Sequence, residues 1–172
     1  MEIAAEIVHN HTDLTERSLL QDFLAQLGYA TPKVDVRGAV VKNGKILLVQ
    51  ERSDGRWCLP GGWADVGETP SEMVGREMEE ESGFKVAVRK VVGVYDANRN
   101  LDLAPLELYH AYKIVFLCEI TGGQARPSDE TSAVDFFSLD SLPLLSLQRT
   151  NEQHLREVFA HVDDPNRPAA FD

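Results

Sequence analysis

Residues 69–83 (TPSEMVGREMEEESG) carry their own start and stop signals. Thr69 is a candidate N-cap, Pro70 takes the first helical position, and Glu72 completes a Thr-x-x-Glu capping box. Gly83 is the expected C-terminal stop. These residues predict a helix over 70–82. Val74 and Met78, four apart, form an apolar face that would anchor it to a sheet. Glu77, Glu80 and Glu81, at i, i+3 and i+4, crowd another face. Gly75 is expected to let the helix approach its neighbour closely. Just upstream, Pro60-Gly61-Gly62 must turn the chain sharply.

The flanking sequence reads as strands. Residues 34–41 are rich in β-branched side chains, and 46–50 form a return strand across the hairpin signal Asn43-Gly44. Residues 52–56 (RSDGR) are a polar loop, and 57–59 a short extended piece. Further strands are expected at 85–95, 108–120 and 133–137. A loop holding Asn98, Arg99, Asn100 and Pro105 separates the first two, and Gly122-Gly123 makes a turn. A Pro-containing connection at 142–147 leads to a second helix, capped by Thr150 with Gln153 in the capping-box position and running to about 162. Near the start, Leu20, Phe23, Leu24 and Leu27 form an apolar stripe on a helix over 12–28, which Gly28 ends. The fold class is α+β, layered as an α/β/α sandwich with a mixed sheet between helices. The expected divisions are an N-terminal helical extension (1–33), a main domain (34–163) and a flexible tail (164–172).

Charge narrows the function. The 172 residues carry a formal charge of −11, which repels duplex nucleic acid, and no basic patch offsets it. Residues 62–84 hold seven acidic side chains and Arg76 as the one basic one, net −6, more than half of the total. An acidic run is usually a solvated helix face, but here the spacing points elsewhere. Like charges three and four apart destabilise an isolated helix by a few tenths of a kcal/mol per pair. Arg76 alone is too little for three carboxylates, and a divalent metal is the natural counter-charge. Hard carboxylate oxygens suit Mg²⁺ or Mn²⁺, which keep waters and bind substrate phosphates. Gly61 and Gly62 free the backbone so that a carbonyl there can join the metal shell. Glu68 is placed to bond loop amides or orient a ligand. Cys58 and Cys118 read as buried free thiols of a reducing cytoplasm. No run of about 18 apolar residues exists to span a membrane, and the opening residues do not read as a secretory signal.

Residues 62–84 resemble a Nudix box, Gly-x5-Glu-x7-Arg-Glu-apolar-x-Glu-Glu-x-Gly-apolar. Gly62, Glu68, Arg76, Glu77, Met78, Glu80, Glu81, Gly83 and Phe84 fill all nine specified positions. A chance match in a chain this long is rarer than about one in a million, so the motif is specific. The resemblance implies the Nudix fold and metal-dependent hydrolysis of the pyrophosphate of a nucleoside diphosphate joined to another moiety, releasing a nucleoside monophosphate. It implies Glu77, Glu80 and Glu81 as catalytic metal ligands, oriented by Arg76 through a salt bridge. In this family the base is a box glutamate or an acid from a distant loop; Glu130 is the candidate loop acid, against a plain solvent-facing reading. Residues 32–50 and the following RSDGRWCLPGGWADVGE resemble a subgroup with a small helical N-terminal extension, associated with ADP-ribose or CDP-choline type substrates, and the apolar stripe of the extension suggests a homodimer.

Residues on the substrate side are weaker candidates. Arg52, Arg56 and Arg99 could meet a phosphate; Trp57, Tyr95 and Tyr112 could stack on a base. The competing readings are a surface arginine and a core aromatic, and His110 reads as a simple strand residue. Two other functions share the box: an RNA 5′-pyrophosphohydrolase, which the charge disfavours, and a non-catalytic sensor of ADP-ribose-like ligands, which predicts lost box glutamates.

Overall fold

A computed structural model describes residues 31–97 and 110–172. The helix expected over 12–28 and the candidate Arg99 lie outside the described residues. In chain order the elements are β1 (Lys33–Ala39), β2 (Val41–Lys42), β3 (Lys45–Glu51), β4 (Trp57–Cys58), α1 (Pro70–Ser82), β5 (Phe84–Asp96), β6 (Ala111–Gly123), β7 (Thr131–Phe137), a 3-10 turn (Leu139–Ser141), α2 (Glu152–Asp163) and β8 (Ala170–Phe171). At the β2–β3 hairpin Asn43 and Gly44 take φ of 53° and 71°, the two positive values a tight two-residue loop requires.

There are two sheets. The first runs β1-β6-β5-β8 and is mixed: β1 lies parallel to β6, β5 antiparallel to β6, and β8 parallel to β5. The second is antiparallel, with β3 flanked by β2 and β4 and also paired with β7. Side-chain alternation splits the apolar residues into two cores. From β6, Phe116 and Cys118 join Val36 in a cluster closed by Met73, Val74 and Met78 of α1. Val115, from the opposite face of β6, joins Ala39 and Val92 in a cluster closed by Leu155 and Val158 of α2. The helices therefore cover opposite faces of the first sheet, which is the expected α/β/α layering. Each buried Val, Leu, Phe or Met side chain among these contributes roughly 1.5–3 kcal/mol.

Helix α1 follows its sequence signals. The Thr69 side chain accepts from the Glu72 amide, Glu72 closes the capping box, and Gly83 caps the C-terminus at φ 78°. The close approach, however, does not involve Gly75, where a Cβ would meet nothing within 4 Å; it involves Gly38 of β1, where a Cβ would lie 2.5 Å from Met78 Sδ. The cap of α2 also differs from the expectation. Asn151 accepts from the His154 amide, while Thr150 is buried with its Oγ1 accepting from the Leu59 amide at 2.8 Å. With Asn151 in the cap position, the Thr150 hydroxyl is turned to the loop instead. The last residues are not a free tail: β8 pairs with β5 through Gly93 and Val94. Lys90 Nζ donates to the carbonyls of Pro165 and Arg167 at 2.9 and 2.8 Å, so the tail supplies acceptors to a cation that would otherwise lack them.

Candidate active site

A cleft of about 660 Å³ opens between α1, the turn at Gly61-Gly62 and the loop before β7. The turn is held against β1. Gly38 N donates to the Pro60 carbonyl at 2.8 Å, Val36 N to Gly62 at 2.9 Å and Ala64 N to Val34 at 2.8 Å. At Gly61 φ is 138°, and a Cβ would lie 2.0 Å from the Val36 carbonyl oxygen. Only glycine fits there. With its neighbours' carbonyls engaged, the Gly61 carbonyl has no backbone partner among the described residues.

Glu77, Glu80, Glu81, Arg76, Gly61 and Glu130 all line this cleft. Arg76 holds several carboxylates at once: Glu68 at 2.9 Å, Glu77 at 3.0 Å, Glu80 at 2.9 Å and Asp65 at 3.3 Å. Glu68 thus faces Arg76 rather than loop amides. Glu81 stands apart. It is 5% exposed, and its Oε2 accepts from the Gly61 amide at 2.8 Å. Burial pushes its carboxyl up to about 7, against the pull of that amide and of Arg37. Burial also raises Glu77, opposed by Arg76, with Glu80 and Glu130 adding to the rise.

These donors fit a divalent cation in chemistry: hard carboxylate oxygens, one free carbonyl, and two carboxyls whose ionisation burial disfavours until a cation arrives. Among the described residues no three acidic, imidazole or thiol groups converge on one point. Arg76 draws Glu77 and Glu80 toward itself while Gly61 holds Glu81. Mg²⁺ needs only one or two protein carboxylates beside waters and substrate phosphates, so the donor set suffices without full convergence.

Glu130 sits on a compact loop. Its carbonyl accepts from Arg52 N at 2.9 Å, and its amide donates to Ser128 Oγ at 3.1 Å. Arg52 does not line the cleft; its Nε donates to the Ser128 carbonyl at 3.2 Å, so it braces the loop that carries Glu130. Trp57 and Tyr95 belong to the core instead of the cleft. Trp57 meets Phe137 edge-on at 4.7 Å. Tyr95 packs on His154 at 4.4 Å with its hydroxyl buried and unpartnered. Both strands aim those rings at the α2 side, away from the glutamates. Arg56 is exposed outside the cleft. His110 and Tyr112 contact each other at 5.1 Å, with His110 Nε2 3.3 Å from Asp96.

Sequence reasoning missed Arg37, Glu51, Trp63, Arg126 and Arg149, which also line the cleft. Arg37 had a signal. Asp35 and Arg37 are two apart in a β-branched run, so both point to one face. They pair there at 2.9 Å, both buried, with Arg37 Nη1 also donating to the Leu59 carbonyl at 3.2 Å. Lys113 adds a third charge, 3.6 Å from Asp35; burial lowers its ammonium to about 8. Glu51 and Arg149 approach to 3.5 Å from elements far apart in sequence, and no local pattern marks them.

Residues 32–162 match the family model described as the NUDIX domain. A protein of Bacillus subtilis (strain 168), provisionally named an ADP-ribose pyrophosphatase, is 36% identical over 172 residues, all of this chain and 82% of the relative. An ADP-ribose pyrophosphatase of Methanocaldococcus jannaschii is 36% identical over 121 residues, 69% of each chain. Among solved structures, an ADP-ribose pyrophosphatase from Streptococcus suis superposes with a TM-score of 0.75 at 38% identity, covering 83% of this chain and all of that one. A UDP-X diphosphatase gives a TM-score of 0.76 at 32% identity, covering 99% and 81%.

Proposed function

The chain belongs to the NUDIX family, and from that premise we propose that it hydrolyses the pyrophosphate bond of a nucleoside diphosphate joined to a second moiety, of the ADP-ribose kind, with Mg²⁺ as the cation. It is a Nudix pyrophosphohydrolase of the kind its relatives represent. The observation that carries the reading is the one cleft that Glu77, Glu80 and Glu81 all line, two of them raised in pKa by burial. A bound divalent cation would polarise the pyrophosphate and acidify the attacking water.

The chain's own residues do the rest. Glu77, Glu80 and Glu81, with the Gly61 carbonyl, are the proposed cation ligands. Arg76, braced by Glu68, sets the carboxylates of Glu77 and Glu80 on the cleft side of α1. Glu130, exposed at the cleft on the loop braced by Arg52, is the proposed acceptor of the water's proton. The remaining organisation is proposed on the same footing. The helical extension of residues 1–33 would contribute to a homodimer through its apolar stripe, ahead of a catalytic domain over 34–163. The buried free thiols Cys58 and Cys118 favour a reducing cytoplasm. No helix among the described residues is long and apolar enough to cross a membrane.

The test is a hydrolysis panel of ADP-ribose, CDP-choline, UDP-sugars, NADH and nucleoside triphosphates, with Mg²⁺ and with chelator. Metal-dependent release of a nucleoside monophosphate from ADP-ribose or its near analogues is expected. Glu80→Gln and Glu81→Gln should fold normally and lose turnover by about 100-fold or more, since even groups behind the ligands typically cost 10–100-fold. Wild-type turnover in both variants would remove the metal assignment.

A further inference from the structure

Four arginines line the cleft, and three are committed. Arg37 is paired with buried Asp35. Arg76 is held by acids of its own helix and the preceding loop. Arg149 reaches Glu51 and Asp54 at 3.5 and 3.4 Å. The fourth, Arg126, has an exposed side chain that makes no hydrogen bond or ion pair with any described residue. Its backbone, by contrast, is fixed. Arg126 N donates to the Ser82 carbonyl at 2.9 Å, and Gln124 N to the Gly83 carbonyl at 3.2 Å. Thr131 Oγ1 donates to the Glu81 carbonyl at 2.8 Å. The loop is thus clamped to the C-terminal end of the helix that carries the glutamates.

An uncommitted guanidinium on a fixed backbone, in a cleft otherwise rich in carboxylates, is the arrangement needed to receive an anion. Desolvating a guanidinium already bonded to a carboxylate gains little from a phosphate. A free one forms a bidentate, charge-assisted pair at full strength. We propose that Arg126 is a substrate-binding residue that grips the diphosphate group through charge-assisted hydrogen bonds. The proposal rests on the hydrolase reading for its substrate, but the contact itself is with a diphosphate anion and is measurable without turnover. The competing role is structural: α1 has no basic residue in its last turn, and a cation beside a helix C-terminus stabilises it modestly.

The experiment titrates wild type, Arg126→Ala and Arg126→Lys with α,β-methylene-ADP in Mg²⁺ by calorimetry, alongside thermal melts and turnover of ADP-ribose. Loss of a charge-assisted contact predicts Kd about 10- to 100-fold weaker for Arg126→Ala, partial recovery in Arg126→Lys, and unchanged melting temperatures. Equal Kd in wild type and Arg126→Ala would overturn the proposal, as would a lowered melting temperature with Kd unchanged. Failure of the wild type to bind the probe would overturn it too. If wild type cleaves nothing while Arg126→Ala still weakens the probe, the anion site stands and the hydrolase reading falls.

Discussion

Replacing Gly38 by alanine tests how α1 is held. The new Cβ would lie 2.5 Å from Met78 Sδ, 2.7 Å from Met78 Cγ and 3.1 Å from Val74 Cγ2. Carbon contacts settle at about 3.5–4.0 Å, so roughly 1 Å must be found by bending Met78 off its rotamer or by moving α1 away from β1. Overpacking of this kind costs about 1–3 kcal/mol. Gly38 is not among the glycines with positive φ, so alanine is otherwise permitted and, by restricting the unfolded chain, returns about 0.4–1 kcal/mol. The net expectation is a loss of about 1 kcal/mol. In a Met78→Ala background only the 3.1 Å contact with Val74 Cγ2 remains, and the same substitution should cost less and approach neutrality. Urea unfolding of the four proteins of this cycle measures it. A shifted α1 also carries Glu77, Glu80 and Glu81 with it, and a 1 Å misplacement can cost on the order of 100-fold in rate. If Gly38→Ala alone is as stable as wild type, or its cost is the same in both backgrounds, the account of helix and strand in contact is wrong.

Tyr95→Phe removes a buried hydroxyl that has no partner, so stability should rise by about 1 kcal/mol while kcat/KM stays within twofold; a large rise in KM would return Tyr95 to the substrate. Burial, with Lys113 nearby, lowers the His154 imidazole to about 4. Its folded pKa lies below the unfolded value, so it contributes stability above pH 6.5 that is lost as pH falls toward 4, a span worth about 3 kcal/mol. The stability difference between wild type and His154→Phe should shift by that amount between pH 7.5 and 4, and a flat difference would refute the burial argument. Burial also raises metal-free Glu81 to about 7, so Mg²⁺ binding should release close to one proton at pH 6 and almost none at pH 8.5. Calorimetry in buffers of different ionisation enthalpy counts that proton, and no uptake by buffer at pH 6 would remove Glu81 from the ligand set.

Much of this architecture is legible locally, because α1 states its limits in four residues. Thr69, Pro70, Glu72 and Gly83 each act within one turn of an end, and the helix runs Pro70–Ser82 as they require. The glutamate face follows from spacing alone. What sequence could not show depends on partners from elsewhere in the chain. Thr150 looked like a cap because its hydroxyl seemed free, yet a loop amide 91 positions away takes it. Trp57 and Tyr95 looked like base platforms because aromatic rings serve both uses; only the face of the strand decides, and both faces point to the α2 core. Residues 164–172 looked loose because the β5 edge that receives them is invisible to local pattern. Gly75 and Gly38 carry the same lesson: the helix glycine faces open space, and the close contact lies at the strand glycine.

The acids of the cleft divide by how they are neutralised. Glu77 and Glu80 share Arg76, which fixes where both carboxyls point before any cation arrives. Among the described residues Glu81 has no ion pair, and the one hydrogen bond to its carboxyl comes from the Gly61 amide. Burying such a group costs far less when it is protonated, so its carboxyl, pushed up to about 7, is only partly ionised near that pH while its geometry is held. Moving Glu81 outward would lower that cost but would break the link to Gly61, whose φ and crowding already require the turn to stay where it is. The turn, the helix and the buried carboxyl therefore constrain one another, and the least stable of the three in isolation, the charged form of Glu81, is the one a divalent cation would relieve.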